Sequence, residues 1–549
     1  MQALQSSTGH WRMLTEVDSM QESGKVTYVS LESDERIHGE YEAALLEIGQ
    51  EFGERHPMYI GGREVTALRE FEARSPIDPG ILLGTFPEGG EDHAREGIAA
   101  ANEAFLGWSR RDWRERIEIV RKTADAIEKR LFPLAALLTF EAGKTRFEAL
   151  AEVGEAAAML RYYCDIYEQS NGYIFPMHSP APGEECRSVM RPYGVWAVIS
   201  PFNFPISLAA GMIAGALLTG NTVVFKPTSK TPLSGMNLYR LFTENGVPPG
   251  ALNLVTGPGG PFGEVVAAHP DVAGIAFTGS RAVGMWLHRQ VAAVQPYHKP
   301  LVAELGSKNP TIVTASADIA KAAEGVARAA FGFAGQKCSA TSRVYVHSSV
   351  AERFLQALRD RADRMEVGDP RRREVAYGPL IDDDARLTFQ EAVEEALRDG
   401  GRLVTGGAVT EEGFYGRGVY VRPTVIADLA HDHRLFREEL FVPLLLVGTF
   451  ETLEEALRLA NATDYGLTAG IFAEDPEEVR YFFDGIRFGV VYANRRGGAT
   501  TGAWPGAQPF GGWKASGTTG RGAGGPYYLL SFVREQAQTR VTERGTKTP

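Results

Sequence analysis

The chain predicts an α/β fold built on doubly wound parallel sheets, and three observations carry that prediction. From Val195 to about residue 302, short apolar runs (VWAVIS, TVVFK, ALNLVTG, GIAFTGS) alternate with helical stretches. That is the pattern of βαβ units, whose strands are apolar throughout because helices cover both faces of the sheet. A second series follows in the same manner: PTIVT, SRVYVH, GRLVTGG, YVRPTVIAD, PLLLVGTF, TAGIFA and GVVYAN. The composition is that of a globular protein. Of 549 residues, 44% are hydrophobic and 23% charged, which excludes a disordered or fibrous chain. At roughly 100–200 residues per domain, such a length predicts about three structural units.

The elements follow in order. Residues 1–35 show little periodicity and predict a loosely docked arm. This stretch has no sustained apolar core and does not read as a secretory signal. Residues 36–55 predict an amphipathic helix with Leu45, Ile48 and Phe52 on one face. MYIGGREV predicts a short hairpin around Gly61-Gly62. Residues 93–142 read as helical, because Ile117, Val120, Ala124 and Ile127 recur at three- and four-residue intervals. No charge interrupts the chain between Arg191 and Lys226, a stretch long enough for a membrane-spanning helix. Pro201, Asn203 and Pro205 break it, however. It divides better into a strand (VWAVIS), a polar turn (PFNFP), a helix (ISLAAGMIAGALL) and a second strand (TVVFK). Residues 498–526 are rich in Gly, Thr and Pro and predict loop, and the terminal TERGTKTP is expected to fray.

Charge and cysteine content narrow the function. With 57 Lys+Arg against 69 Asp+Glu the net charge is −12, which argues against a broad nucleic-acid surface. The three cysteines are Cys164, Cys186 and Cys338, with no CxxC pair. Neither a disulfide framework nor a thiolate zinc site is indicated, and no metal is expected. Few, unclustered cysteines suit a reducing cytoplasm.

Several short segments can carry chemistry. A literal GxGxxG begins at Gly520, but no strand leads into it, so it is rejected as a dinucleotide fingerprint. GIAFTGSRAVGMWLHRQV is a better candidate. There a strand runs into Gly279 and Ser280 and then a helix, whose first N–H groups can hold a pyrophosphate. The plain alternative is a tight βα turn. Cys338, in FGFAGQKCSATSR, has small neighbours that leave the sulfur approachable; a lone cysteine is more often an inert core residue. As a nucleophile it needs a proton acceptor and an oxyanion donor. Glu304 in VAELGSKNP and Asn203 in PFNFP are residue types that fill those roles, although spacing alone does not bring the three together.

Taken in order, PFNFP, VVFKPTSKTP, FTGS, ELGSKNP, FGFAGQKCSA, EELFVP and PFGGWKASG resemble the aldehyde dehydrogenase superfamily over residues 57 to 540. The resemblance implies an aldehyde dehydrogenase-like fold: a Rossmann-like cofactor domain (36–171 and 194–302), an α/β catalytic domain (303–517) and a small β oligomerisation element (172–193 and 518–549). It also implies a homodimer or higher homo-oligomer. By the same resemblance Cys338 is the nucleophile, Asn203 and the Cys338 backbone N–H meet the oxyanion, and Glu304 activates the hydrolytic water. Lys226 and Glu439 are implied to hold cofactor ribose hydroxyls, Ser280 with Gly279 the pyrophosphate, and Phe441 to pack near the nicotinamide. The implied cofactor is NAD. NADP remains possible, because Ser229 stands where many NAD-specific relatives carry a ribose-binding Glu and Lys230 is adjacent.

Within the superfamily, AGQKCSATSR, TTGAWPGAQPFGGWKASGT and the N-terminal EYEAALLEIGQEFGERHPMYIGG are similar to the branch that oxidises L-glutamate γ-semialdehyde. That likeness implies that Ser339, Gly502 and Ala503 bind the amino-acid end of a small aldehyde substrate. Three departures from the pattern stand out: Ser307 replaces a second Gly, Val442 replaces a Gly, and the loop 494–501 is longer. The alternatives are a dehydrogenase for another semialdehyde, a CoA-acylating relative and a non-catalytic protein that kept the fold. Glu304 speaks against the CoA-acylating relative, and the intact Cys338, Glu304 and Asn203 speak against the non-catalytic one.

Overall fold

The computed structural model describes residues 35–294, 297–410, 413–497 and 504–541. Two seven-stranded sheets organise it. Across the first, the strands run Leu301–Glu304, Val272–Thr278, Val195–Ile199, Thr222–Lys226, Leu252–Leu254, Met58–Ile60 and Arg63–Val65. The first five are parallel, and the last two form the expected hairpin, added antiparallel at the edge. Gly61 and Gly62 both have positive φ (61° and 78°), as a two-residue turn matched to strand twist requires. In the second sheet the order is Arg402–Thr405, Thr424–Ala427, Leu444–Phe450, Thr341–His347, Asn309–Val313, Thr468–Phe472 and Val490–Ala493. Only the Arg402–Thr405 edge strand is antiparallel.

Both faces of the first sheet are covered. Val195 and Ala197 pack into one apolar cluster, Trp196 and Val198 into another, and all four are buried. The uncharged stretch is strand Val195–Ile199, helix Ser207–Leu218 and strand Thr222–Lys226. Among the described residues no helix is long and apolar enough to cross a membrane.

One expectation needs correction and one is resolved further. The helix expected over 36–55 ends at Ile48. Gly49 and Gly53 (φ +86°) turn the chain, and Glu54–Arg55 pairs with Leu82–Pro87 as a short strand. Its deepest residues are His38, Tyr41 and Ala44, while Leu45, Ile48 and Phe52 only lean on the core. The helical region 93–142 is three helices, Glu91–Arg110, Trp113–Lys129 and Leu131–Ala142. Asp112 makes the first break, accepting the Arg114 N–H at 2.9 Å as an N-cap. The strand Leu301–Glu304 belongs wholly to the first sheet.

A third sheet stands apart from these two. Ile174–Met177, Glu184–Pro192 and Val533–Val541 form an antiparallel ribbon whose long pair runs from Val533 opposite Pro192 to Val541 opposite Glu184.

Candidate active site

Chain order places the site. In the first sheet the strands from Val195 through Thr222 to Leu252 progress one way, and the strands at Val272 and Leu301 are laid on the other side of Val195. The reversal lies between Val195–Ile199 and Val272–Thr278, and ligands in open α/β sheets bind outside the carboxyl ends at such a point. Ile199 leads directly into the PFNFP turn and Asn203. Thr278 leads into Gly279 and Ser280, Lys226 ends the neighbouring strand and Glu304 ends the edge strand. Five of the residues singled out in the sequence therefore stand at or just beyond carboxyl ends of one sheet.

The second sheet meets them with its amino ends. VAELGSKNP runs off Glu304 straight into the strand that begins at Asn309. Cys338 precedes the strand Thr341–His347, and Glu439 and Phe441 precede Leu444–Phe450. Helix Ile319–Phe331 ends at Gly332, and Phe333, Ala334 and Gly335 are left-handed (φ 52°, 53° and 69°). A side chain on Gly335 would lie 2.6 Å from the Val442 carbonyl oxygen, so only glycine lets this loop pass. The Asn203 amide donates to the Gln336 carbonyl at 3.1 Å, which joins the PFNFP turn to the cysteine loop two residues before the sulfur. That bond uses one of the two N–H groups the amide carries.

The electrostatics are those of a dry site. Burial pushes the Cys338 thiol up to about 12, and the carboxylates of Glu439, Glu304 and Glu155 add to the shift. Burial also raises Glu304 to about 8, opposed by the Gly512 N–H, which donates to it at 3.2 Å. In the free chain the thiol is protonated at neutral pH, and Glu304 titrates close enough to neutrality to accept a proton.

The cofactor candidates are placed as follows. Lys226 is buried, lowered to about 8 by that burial, and its ammonium donates to the neighbouring Pro227 carbonyl at 2.9 Å. Ser280 opens helix Arg281–Val294, its hydroxyl accepting the Val283 N–H at 3.3 Å. Gly279 donates its N–H to the Glu304 carbonyl at 3.1 Å, so it shapes the turn rather than offering a free donor. Glu439 folds inward, accepts the Ser307 N–H at 2.7 Å and lies against Gly306; burial raises it to about 7. The Phe441 ring meets Phe202 of the PFNFP turn edge-on at 6.0 Å. Ser229 donates to the Gly257 carbonyl at 2.8 Å, and Lys230 forms an ion pair with Asp382. A buried lysine, an exposed helix start and a carboxylate are the kinds of group that hold a dinucleotide's phosphates and hydroxyls. Ser339 is buried directly beside Cys338. Gly502 and Ala503 lie outside the described residues.

Two residues escaped the sequence reading. The Asn309 amide donates to the carbonyls of Cys338 (2.7 Å) and Ala340 (2.9 Å), while its oxygen accepts the Thr468 N–H at 3.0 Å. It pins the loop on both sides of Ser339. Its place inside ELGSKNP was the available signal. Glu155, buried in helix Arg146–Gln169, acts on the sulfur only through space, and nothing in its local sequence marks it.

The chain belongs to the aldehyde dehydrogenase family, whose model matches residues 64–537. Within that family it is 35% identical over 503 residues to a 1-pyrroline-5-carboxylate dehydrogenase of Geobacillus sp. (strain WCH70), covering 91% of this chain and 95% of the relative. The solved 1-pyrroline-5-carboxylate dehydrogenase from Thermus with bound NAD superposes with a TM-score of 0.88 at 33% identity, covering 93% of this chain and 97% of that one. Proline utilization A from Bdellovibrio bacteriovorus gives 0.87 at 32% identity, over 93% of this chain and 52% of that one.

Proposed function

We propose that the protein oxidises L-glutamate γ-semialdehyde to L-glutamate, the reaction of a 1-pyrroline-5-carboxylate dehydrogenase, with NAD as the hydride acceptor. The observation that carries this reading is the 3.1 Å hydrogen bond from Asn203 to Gln336, which sets an amide donor beside the cysteine loop. The relatives named for that reaction, matched over nearly their whole length, support the choice of substrate.

In this reading Glu304, raised to about 8, takes the Cys338 proton. The thiolate bonds to the aldehyde carbon, and the carbonyl oxygen takes the negative charge. The free Asn203 N–H and the Cys338 backbone N–H stabilise that oxyanion. NAD bound in the cleft would supply the acceptor for the hydride on that carbon. The oxyanion re-forms the carbonyl and leaves a thioester on Cys338. Glu304, having passed that first proton to solvent, then deprotonates water, the hydroxide adds to the thioester carbon, and the C–S bond breaks with the electrons returning to sulfur. Lys226, Glu439 and Ser280 hold the dinucleotide, and Phe441 packs beside its ring. NAD is favoured over NADP because Lys230, the cation that would meet a 2′-phosphate, is engaged by Asp382.

Ser339 binds the amino-acid end of the substrate in this account, together with Gly502 and Ala503. The ribbon of Ile174–Met177, Glu184–Pro192 and Val533–Val541 joins copies into a homo-oligomer. A cytoplasmic location fits three free cysteines.

The test is NADH absorbance with glutamate semialdehyde, with and without CoA, for wild type and Cys338→Ala. Turnover without CoA that falls by roughly 10⁴-fold or more in the variant is expected, as for removal of other enzymes' nucleophiles. Equal rates for the two proteins remove Cys338 as nucleophile, and a strict CoA requirement selects the acylating alternative.

A further inference from the structure

Behind the cysteine loop lies a buried charge pair that neither the sequence motifs nor the mechanism uses. Lys144 and Glu152 form an ion pair, and both side chains are fully buried. The Glu152 carboxylate also accepts the backbone N–H of Ile206 at 2.8 Å and of Ser207 at 3.2 Å. Those two N–H groups open helix Ser207–Leu218, immediately after the PFNFP turn. Glu152 therefore caps the helix that fixes where Asn203 points.

Lys144 faces the other way as well. Its ammonium nitrogen lies 3.6 Å from the ring centre of Phe204 and 4.9 Å from that of Phe333. Phe204 follows Asn203 in the turn, and Phe333 is the first left-handed residue of the loop that ends in Cys338. Both rings are buried. One cation thus touches the segment that carries Asn203 and the segment that carries Cys338, and burial of all three side chains strengthens both contacts. Next to it Lys337, the residue before Cys338, pairs with Glu148 at 2.6 Å.

We infer that Lys144 and Glu152 are positioning residues for the oxidation: their pair holds the Asn203 turn against the Cys338 loop and so sets the distance between oxyanion donor and sulfur. Neither touches substrate or cofactor. Removing one alone leaves a buried charge without its partner, which threatens the fold itself. The informative variant removes both charges together.

The inference rests on the functional reading above, and its experiment separates the two. Lys144→Met/Glu152→Gln keeps an acceptor for the helix N–H groups and leaves no lone charge. Its kcat is expected to fall about 10²-fold, the cost of a displacement near 1 Å at a reacting centre, with the KM for NAD unchanged. Made in an Asn203→Ala background, the same double substitution should cost far less, because the donor it positions is already gone. A kcat equal to wild type overturns the inference, and so does an equal loss in both backgrounds. Phe333→Leu leaves both charges in place and removes one of the two rings. It should lower kcat in the same direction, and wild-type kcat in that variant also overturns the inference. Alkylation of Cys338 by iodoacetamide needs no turnover and should be faster in the double variant as the loop loosens. If wild type oxidises no aldehyde, the functional reading falls. An unchanged alkylation rate in the double variant then overturns the positioning role, and a faster one upholds it.

Discussion

The two large sheets deliver side chains to the same cleft by opposite means. The first sheet uses carboxyl ends: Asn203, Lys226, Ser280 and Glu304 stand at or just past its strands, and the strand direction itself aims them. The second sheet uses amino ends, where Cys338 and Glu439 sit on loops that enter strands. A loop has no such built-in aim. It is held instead by a left-handed turn at 333–335, by Asn309 bonded to two of its carbonyls, and by the Lys144 cation against Phe333. The position of the Cys338 sulfur therefore depends on packing, while the first sheet's residues depend on topology.

The largest effect expected on the first-sheet side is at Glu304. Glu304→Gln should lower steady turnover by roughly 10²–10⁴-fold, the range for loss of a general base. An NADH burst should persist when thiol ionisation is supplied by higher pH, because hydride transfer precedes hydrolysis. Rapid-mixing absorbance checks it, and loss of the burst at every pH contradicts a role in hydrolysis. The wild-type rate should also rise with pH through about 8, where the buried carboxyl ionises. The sign follows from burial: desolvation favours the neutral acid, so the basic form gains as pH climbs past the raised value. A rate that is flat from pH 6 to 9 breaks the assignment.

Next comes Asn203→Ala. Loss of one oxyanion donor costs about 2.7–4 kcal/mol in the transition state, or 10²–10³-fold in kcat. The KM for NAD should stay within about twofold, since the amide lies on the cysteine side of the cleft. A loss confined to KM would place the residue in ground-state binding instead.

The contrast between the sheets also explains what was legible beforehand. The strand–turn–helix rhythm from Val195 to Glu304 is a local hydrophobic pattern, so both the strands and the residues after them could be read directly. The helix expected to reach residue 55 stops at Gly49 because two glycines bend the chain, a local signal that the apolar stripe masked. Lys144, Glu152 and Glu155 were not legible. They lie far from the motifs in sequence, and a charged residue in a helix ordinarily reads as a solvated face. Only the folded chain shows them buried behind the cleft.

On the second-sheet side a smaller kinetic effect and a clearer stability effect are expected at Asn309. Asn309→Ala strands one buried and one partly buried carbonyl and one buried N–H; a fully buried group left unpaired costs about 1–3 kcal/mol. The melting temperature should fall by several degrees. Cys338 alkylation should quicken as its loop is freed. A variant that melts with wild type shows that the loop is held without this amide.

The smallest effect tests substrate choice rather than chemistry. Ser339 is buried beside Cys338, in a loop whose position Asn309 already fixes, so removing its hydroxyl leaves the backbone in place. If the hydroxyl meets the amino-acid end of the substrate, Ser339→Ala gives up one hydrogen bond to a charged group, about 1.5–3 kcal/mol. That should raise the KM for glutamate semialdehyde roughly tenfold or more while kcat changes little. A simple aliphatic aldehyde has no such group to lose, so its KM should not move. Parallel shifts for the two substrates would mean that the serine shapes the pocket for any aldehyde, and the amino-acid specificity would have to come from elsewhere in the cleft.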